Sequence, residues 1–155
     1  MRRQFSIAKT FLWLFVIALG IDDWCGLYKT SVVMPLWDTA PPDSVIVYQQ
    51  HNAASPQFAL NAGGRFWVFA TPLVGFLAIT TLVSGLRTRP KHRKWRTAGT
   101  FLTLIVVLFT FLWFVPNNIQ LTGKGVMAMS PDEVTSLTNW WVRLNWVHEF
   151  LYFLN

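Results

Sequence analysis

Three stretches of the chain are apolar enough to read as membrane helices, and a fourth is apolar on all but one side. The first covers residues 6–28, the second 65–86 and the third 97–115. Each is close to the ~20 residues that a helix needs to cross ~30 Å of hydrocarbon. The fourth, residues 130–155, opens with Ser130, Pro131 and Glu133, the order of a capping box with proline in the first turn. Placed at about 100° per residue, Thr138, Trp141, Asn145, His148, Glu149 and Tyr152 share a sector roughly 100° wide. The remaining faces carry Leu144, Val147, Phe150, Leu151 and Phe153. A polar stripe on such a helix must face other helices, because exposing ionisable groups to lipid costs several kcal/mol.

The segments between these helices are unequal. Residues 29–64 form a long connection in which Met34-Pro35-Leu36-Trp37 and Ala40-Pro41-Pro42 break any continuing helix. Asp43 or Ser44 then caps a short helix through Ala54. Pro72 lies inside the second long helix and is expected to kink it, and Pro116-Asn117-Asn118 is expected to stop the third. The pattern predicts an all-α protein of one domain: an integral membrane four-helix bundle with a long outer loop between helices one and two.

Composition agrees with that reading. Hydrophobic residues make up 53% of the chain and charged ones only 13%, about half the share usual in a soluble domain. The net charge of +6 would suit nucleic acid if it were spread over a reading face. Instead nine of the thirteen basic residues fall in two short segments, Arg2 to Lys9 and Arg87 to Arg96, which flank apolar runs. That is a topology signal, placing both termini and the loop between helices two and three in the cytoplasm. The partner it implies is the lipid bilayer of a bacterial inner membrane, with no nucleic acid. The basic start resembles a signal peptide, but Asp22-Asp23-Trp24 stands where a small-residue cleavage site belongs, so helix one is expected to remain. Cys25 is the only cysteine, which rules out an intrachain disulfide and a CxxC site.

Candidate chemistry collects at one depth. Counted at 1.5 Å per residue from Trp140 and Trp141, Asn145, His148 and Glu149 lie roughly 6–13 Å below the outer interface. Asp22 and Asp23, counted from Tyr28, lie roughly 8–10 Å below it. His148 with Asp22 or Asp23 would serve as acid and base, and Arg65, Asn117, Trp141, Arg143 and Asn145 would hold a substrate. A single metal held by His148, Glu149, Asp22 and His51 is a second reading, and an ionic cluster that only ties helices one and four together is a third. No cofactor is fixed by the sequence. One intramembrane histidine cannot supply the two axial ligands of a b-type haem, and the repeated Glu-x-x-His of a di-iron bundle is missing.

Val33-Met34-Pro35, Arg65-Phe66-Trp67, Val115-Pro116-Asn117-Asn118 and Trp141-Val142-Arg143-Leu144-Asn145-Trp146-Val147 together resemble the small four-span membrane proteins grouped with anthrone oxygenases. At position 148, where that family's pattern carries an arginine, this chain has His148. The resemblance implies cofactor-free insertion of oxygen into an aromatic carbanion. It leaves open a different class of function, a non-catalytic subunit packed against other membrane subunits through its nine tryptophans and thirteen phenylalanines.

Overall fold

The computed structural model describes residues 2–54, 62–86 and 90–154, with side chains for residues 7–52, 66–86 and 93–154. Arg65 as a side chain, and the basic residues Arg87, Arg89, Lys91 and His92, lie outside that set. The described residues are mostly helical, with no strand among them. Helix α1 spans Arg2–Tyr28 and runs on through a π-helical turn, Lys29–Val33, and a 3₁₀ turn, Met34–Leu36. It ends at Pro35 and Trp37, as the proline predicts. The short helix α2, Asp43–Ala54, is present in the connection.

Helix α3, Ala62–Gly85, continues across Pro72. Helix α4, Pro90–Phe109, passes through a second π-helical turn, Thr110–Phe114, into α5, Val115–Gln120. The expectation that Pro116 stops this helix is therefore corrected. Pro116 sits in the first turn of α5, directly after the wider π turn, where a missing N–H costs no regular helix bond. The Asn117 amide donates to Trp113 O at 2.6 Å and takes up a carbonyl of the π turn. A short α6, Lys124–Met127, precedes α7, Pro131–Phe153.

Among the described residues, three helical segments are long and apolar enough to cross a membrane: Ile7–Leu36, Phe66–Gly85 and Arg93–Gln120. They make this a multi-pass membrane protein. Helix α3 packs along both α1 and α4. The approach is close where Gly75 faces Val107 and Ala78 is fully buried, since small residues let helix backbones come together in lipid. Phe15, Leu19, Val74, Leu77, Val106 and Tyr152 form the main apolar core.

Helix α7 packs against α1 and α4, and its start is built as its sequence predicts. Ser130 Oγ accepts from Glu133 N–H at 3.3 Å, while the Glu133 carboxylate accepts from Ser130 N–H at 2.8 Å. Such a cap is worth about 1 kcal/mol. Asn145 meets Thr30 and Tyr152 faces Asp22, so α7 runs antiparallel to α1 and pairs with its second half rather than its full length.

Candidate functional site

The buried residues of α7 are Val134, Thr138, Trp141, Asn145, His148 and Tyr152, spaced by three or four. That is the stripe the sequence predicts, now turned onto α1 and α4. Asn145 Nδ2 donates to Thr30 Oγ1 at 2.7 Å, fully buried between α7 and the π turn that follows α1. Trp141 packs edge-on against Trp37 and Phe114, with ring centroids 5.1 and 5.5 Å away.

His148 is the centre of the arrangement. Its Nε2 lies 2.8 Å from Thr110 Oγ1 in the second π turn, and its ring meets Phe114 and Tyr152 at 4.9 Å each. Thr110 has a single hydroxyl proton, and the bond from Oγ1 to Val106 O at 3.0 Å uses it. The hydroxyl then accepts from His148 Nε2–H, which puts a proton on Nε2; in the neutral ring the Nδ1 lone pair is then bare. Nδ1 is buried and makes no hydrogen bond, with Glu149 Oε1 at 3.8 Å.

Acidic groups surround it. Asp22 is buried, Asp23 is half-buried, and both lie close enough to Glu149 to feel its charge. Glu149 presses against Gly26, where any larger residue would collide with its carboxylate. Its Oε1 is 3.9 Å from Lys29 Nζ. The Lys29 ammonium in turn sits 5.2 Å from the Trp67 ring centroid and 5.1 Å from that of Trp141. Asp22 Oδ1, Asp23 Oδ1, Thr138 Oγ1, Trp141 Nε1, Asn145 Oδ1 and His148 Nδ1 are all buried without a hydrogen-bond partner. Leaving such an atom unpaired costs about 1–3 kcal/mol each, and four of the six lie along the buried stripe of α7, facing the two aspartates of α1 at its far end.

The structure thus brings together His148, Asp22, Asp23, Asn145 and Trp141 from the predicted set, with Glu149. Arg65 lies outside the described side chains, and the others do not join the group. Arg143 is exposed on another face of α7, Asn117 is bonded to its own helix, and His51 is exposed on α2. No three His, Cys, Asp or Glu side chains group as metal ligands among the described residues, so the set His148, Glu149, Asp22 and His51 is not assembled. Lys29, Thr30, Trp67 and Thr110 are members that sequence reasoning missed. The signal for Lys29 was available, since Asp22, Gly26 and Lys29 share a helix face at i, i+4 and i+7.

Beside the cluster, an apolar groove of about 520 Å³ runs along the α1–α3 seam. Leu14 and Leu77 line one end, Ile21 and Phe66 the other, next in sequence to Asp22 and Trp67. None of the polar residues lines it. A model of one protein family, anthrone oxygenase, matches residues 47–154, well over half of the chain. The chain belongs to the anthrone oxygenase family. The anthrone oxygenase match takes in Thr110, Asn145, His148, Glu149 and Tyr152, while Asp22, Asp23 and Lys29 precede it. No curated protein and no solved structure matches the chain.

Proposed function

We propose that this protein is a membrane-embedded oxygenase acting on an apolar aromatic or quinoid substrate, with His148 as the base. Helix α7 serves as the fourth helix of a bundle in a bacterial inner membrane, with both chain ends directed to the cytoplasm and the cluster in the outer half. One observation carries the reading: His148 is buried, tied at Nε2 to Thr110 and bare at Nδ1. A neutral imidazole so held is poised to take a proton from an activated C–H or O–H.

Glu149 stands where it stabilises the imidazolium that results, and Asp22 and Asp23 are further proton acceptors at the same depth. The substrate anion formed then reacts with dioxygen, the second substrate. The apolar groove offers a ring system a route from lipid to the cluster, and its volume is that of an ordinary small-molecule site. Membership of the anthrone oxygenase family supports the reaction class.

The test is oxygen uptake by the purified protein in lipid nanodiscs, with a panel of hydroxyanthrones and quinols. Uptake is expected with at least one of them, and His148→Ala should lower it about 100-fold or more, the usual contribution of a general base. No uptake across the panel, or uptake unchanged in His148→Ala, overturns the proposal.

A further inference from the structure

Lys29 has no part in the base chemistry above, yet it is the one cation held inside the cluster among the described residues. Its side chain is 24% exposed. Its contacts are two indole faces and one ion pair with Glu149. At 3.9 Å that pair is too long for a charge-assisted hydrogen bond, which lies near 2.7–2.9 Å. Glu149, with Asp22 at longer range, therefore holds the ammonium by Coulomb attraction, and the three Nζ–H donors remain available for a stronger acceptor. The π turn beginning at Lys29 keeps the side chain directed inward where a loop would have released it.

We propose that Lys29, flanked by Trp67 and Trp141, is the receptor for the oxyanion of a planar phenolate or enolate. The ligand class is an aromatic anion with its rings against the indoles and its charged oxygen on Nζ. Two further observations point the same way. Trp141 Nε1–H, on one of the indoles that Lys29 covers, is buried without an acceptor and can serve a second oxygen of the same ligand. Phe66, at the end of the apolar groove, packs edge-on against Trp67 with ring centroids 4.8 Å apart, so one indole separates the groove from Lys29. A cation beside aromatic faces binds anions strongly where water is excluded, because both Coulomb and hydrogen-bond terms grow in low dielectric.

The proposal takes its ligand class from the oxygenase reading, but binding can be measured without turnover. The probes are 2-hydroxy-1,4-naphthoquinone, an anion at neutral pH, and 2-methyl-1,4-naphthoquinone, a neutral molecule of similar shape, each titrated by equilibrium dialysis into the full chain in nanodiscs. The native protein should prefer the anion by about tenfold or more, the scale of one charge-assisted contact. Lys29→Met should abolish that preference while holding the neutral quinone within about twofold, and Lys29→Arg should retain it. Equal affinities in the native protein, or an unchanged preference in Lys29→Met, overturn the assignment.

Should Lys29→Met fail to fold, Glu149→Gln decides. Removing the competing carboxylate should tighten anion binding severalfold, and unchanged or weaker binding sinks the proposal. Anion preference without oxygen uptake on any substrate would defeat the oxygenase reading and leave the Lys29 site standing. Uptake without anion preference would do the reverse.

Discussion

Two polar regions sit within the apolar bundle, and they are built on opposite principles. Near the start of α1, Arg96 of α4 donates to Ala8 O at 3.2 Å and to Thr81 O at 3.4 Å, bridging all three packed helices. Thr81 Oγ1 donates to Phe11 O at 3.1 Å, and Thr100 and Thr103 bond back into their own helix. The acceptor of each of these bonds is a backbone carbonyl, and among the described residues there only Arg96 Nε is a buried side-chain polar atom without a partner. Along the buried stripe of α7 the bonds to other helices run from side chain to side chain, and six buried polar atoms on that stripe and the facing α1 are unpaired. Polar groups that answer to the backbone fasten helices together. Polar groups that answer to one another incompletely are available to a ligand.

The contrast is broken most directly at the fastened end. Arg96→Met keeps the apolar stem and removes the guanidinium, and it should cost about 2–3 kcal/mol, the range for hydrogen bonds from a charged group. Thermal unfolding in nanodiscs would show a clear fall in midpoint, while anion-probe affinity should stay within about twofold. A variant as stable as the native protein would mean that the Arg96 contacts contribute nothing, and a variant that lost probe binding would mean that the two ends are not independent.

Much of the framework was legible in the chain. Ser130, Pro131 and Glu133 announced the cap, and the spacing of Thr138, Trp141, Asn145, His148 and Tyr152 gave the buried stripe. The expectation that Arg143 holds a substrate ran against the helix's own period, since Arg143 lies roughly 170° from the stripe's centre at 100° per residue and is exposed. The two π turns were not legible. A π turn differs from an α turn by one residue in hydrogen-bond reach, which neither propensity nor hydropathy registers, and tertiary packing decides it. Yet these turns carry Lys29 and Thr30 on one side of the site and Thr110 and Phe114 on the other. Reading Lys29 as the first residue of the connection followed from that blindness.

A second, smaller perturbation sharpens the comparison from the His148 side. Gly26→Ala places a methyl group against the Glu149 carboxylate, the mobile end of a long side chain. Stability should change by no more than about 0.5 kcal/mol, because the side chain yields and alanine favours the helix over glycine. Binding should respond instead, since a displaced Glu149 no longer sits 3.9 Å from Lys29. A severalfold change in anion-probe affinity with an unshifted unfolding midpoint is the expected pair of results. A large stability loss would place Glu149 with the fastening groups and not with the site.

The smallest effect is expected at Glu133, on the same helix as His148 but in water. Its carboxylate accepts from the Ser130 N–H and hydroxyl at 2.8 Å each, both at Oε2, and those bonds hold it below the usual glutamate range. A depressed carboxylate stabilises the fold at pH values above its unfolded pKa and loses that contribution as pH falls through the folded one. Protection of the first-turn amides of α7 from hydrogen exchange, corrected for the intrinsic rate, should therefore be full at pH 7 and decline in acid. Glu133→Gln should remove the pH dependence and leave probe binding untouched. If it changed binding, a complete, solvent-facing cap would be coupled to the site, and the division between satisfied groups that hold the fold and unsatisfied groups that meet a ligand would fail on a single helix.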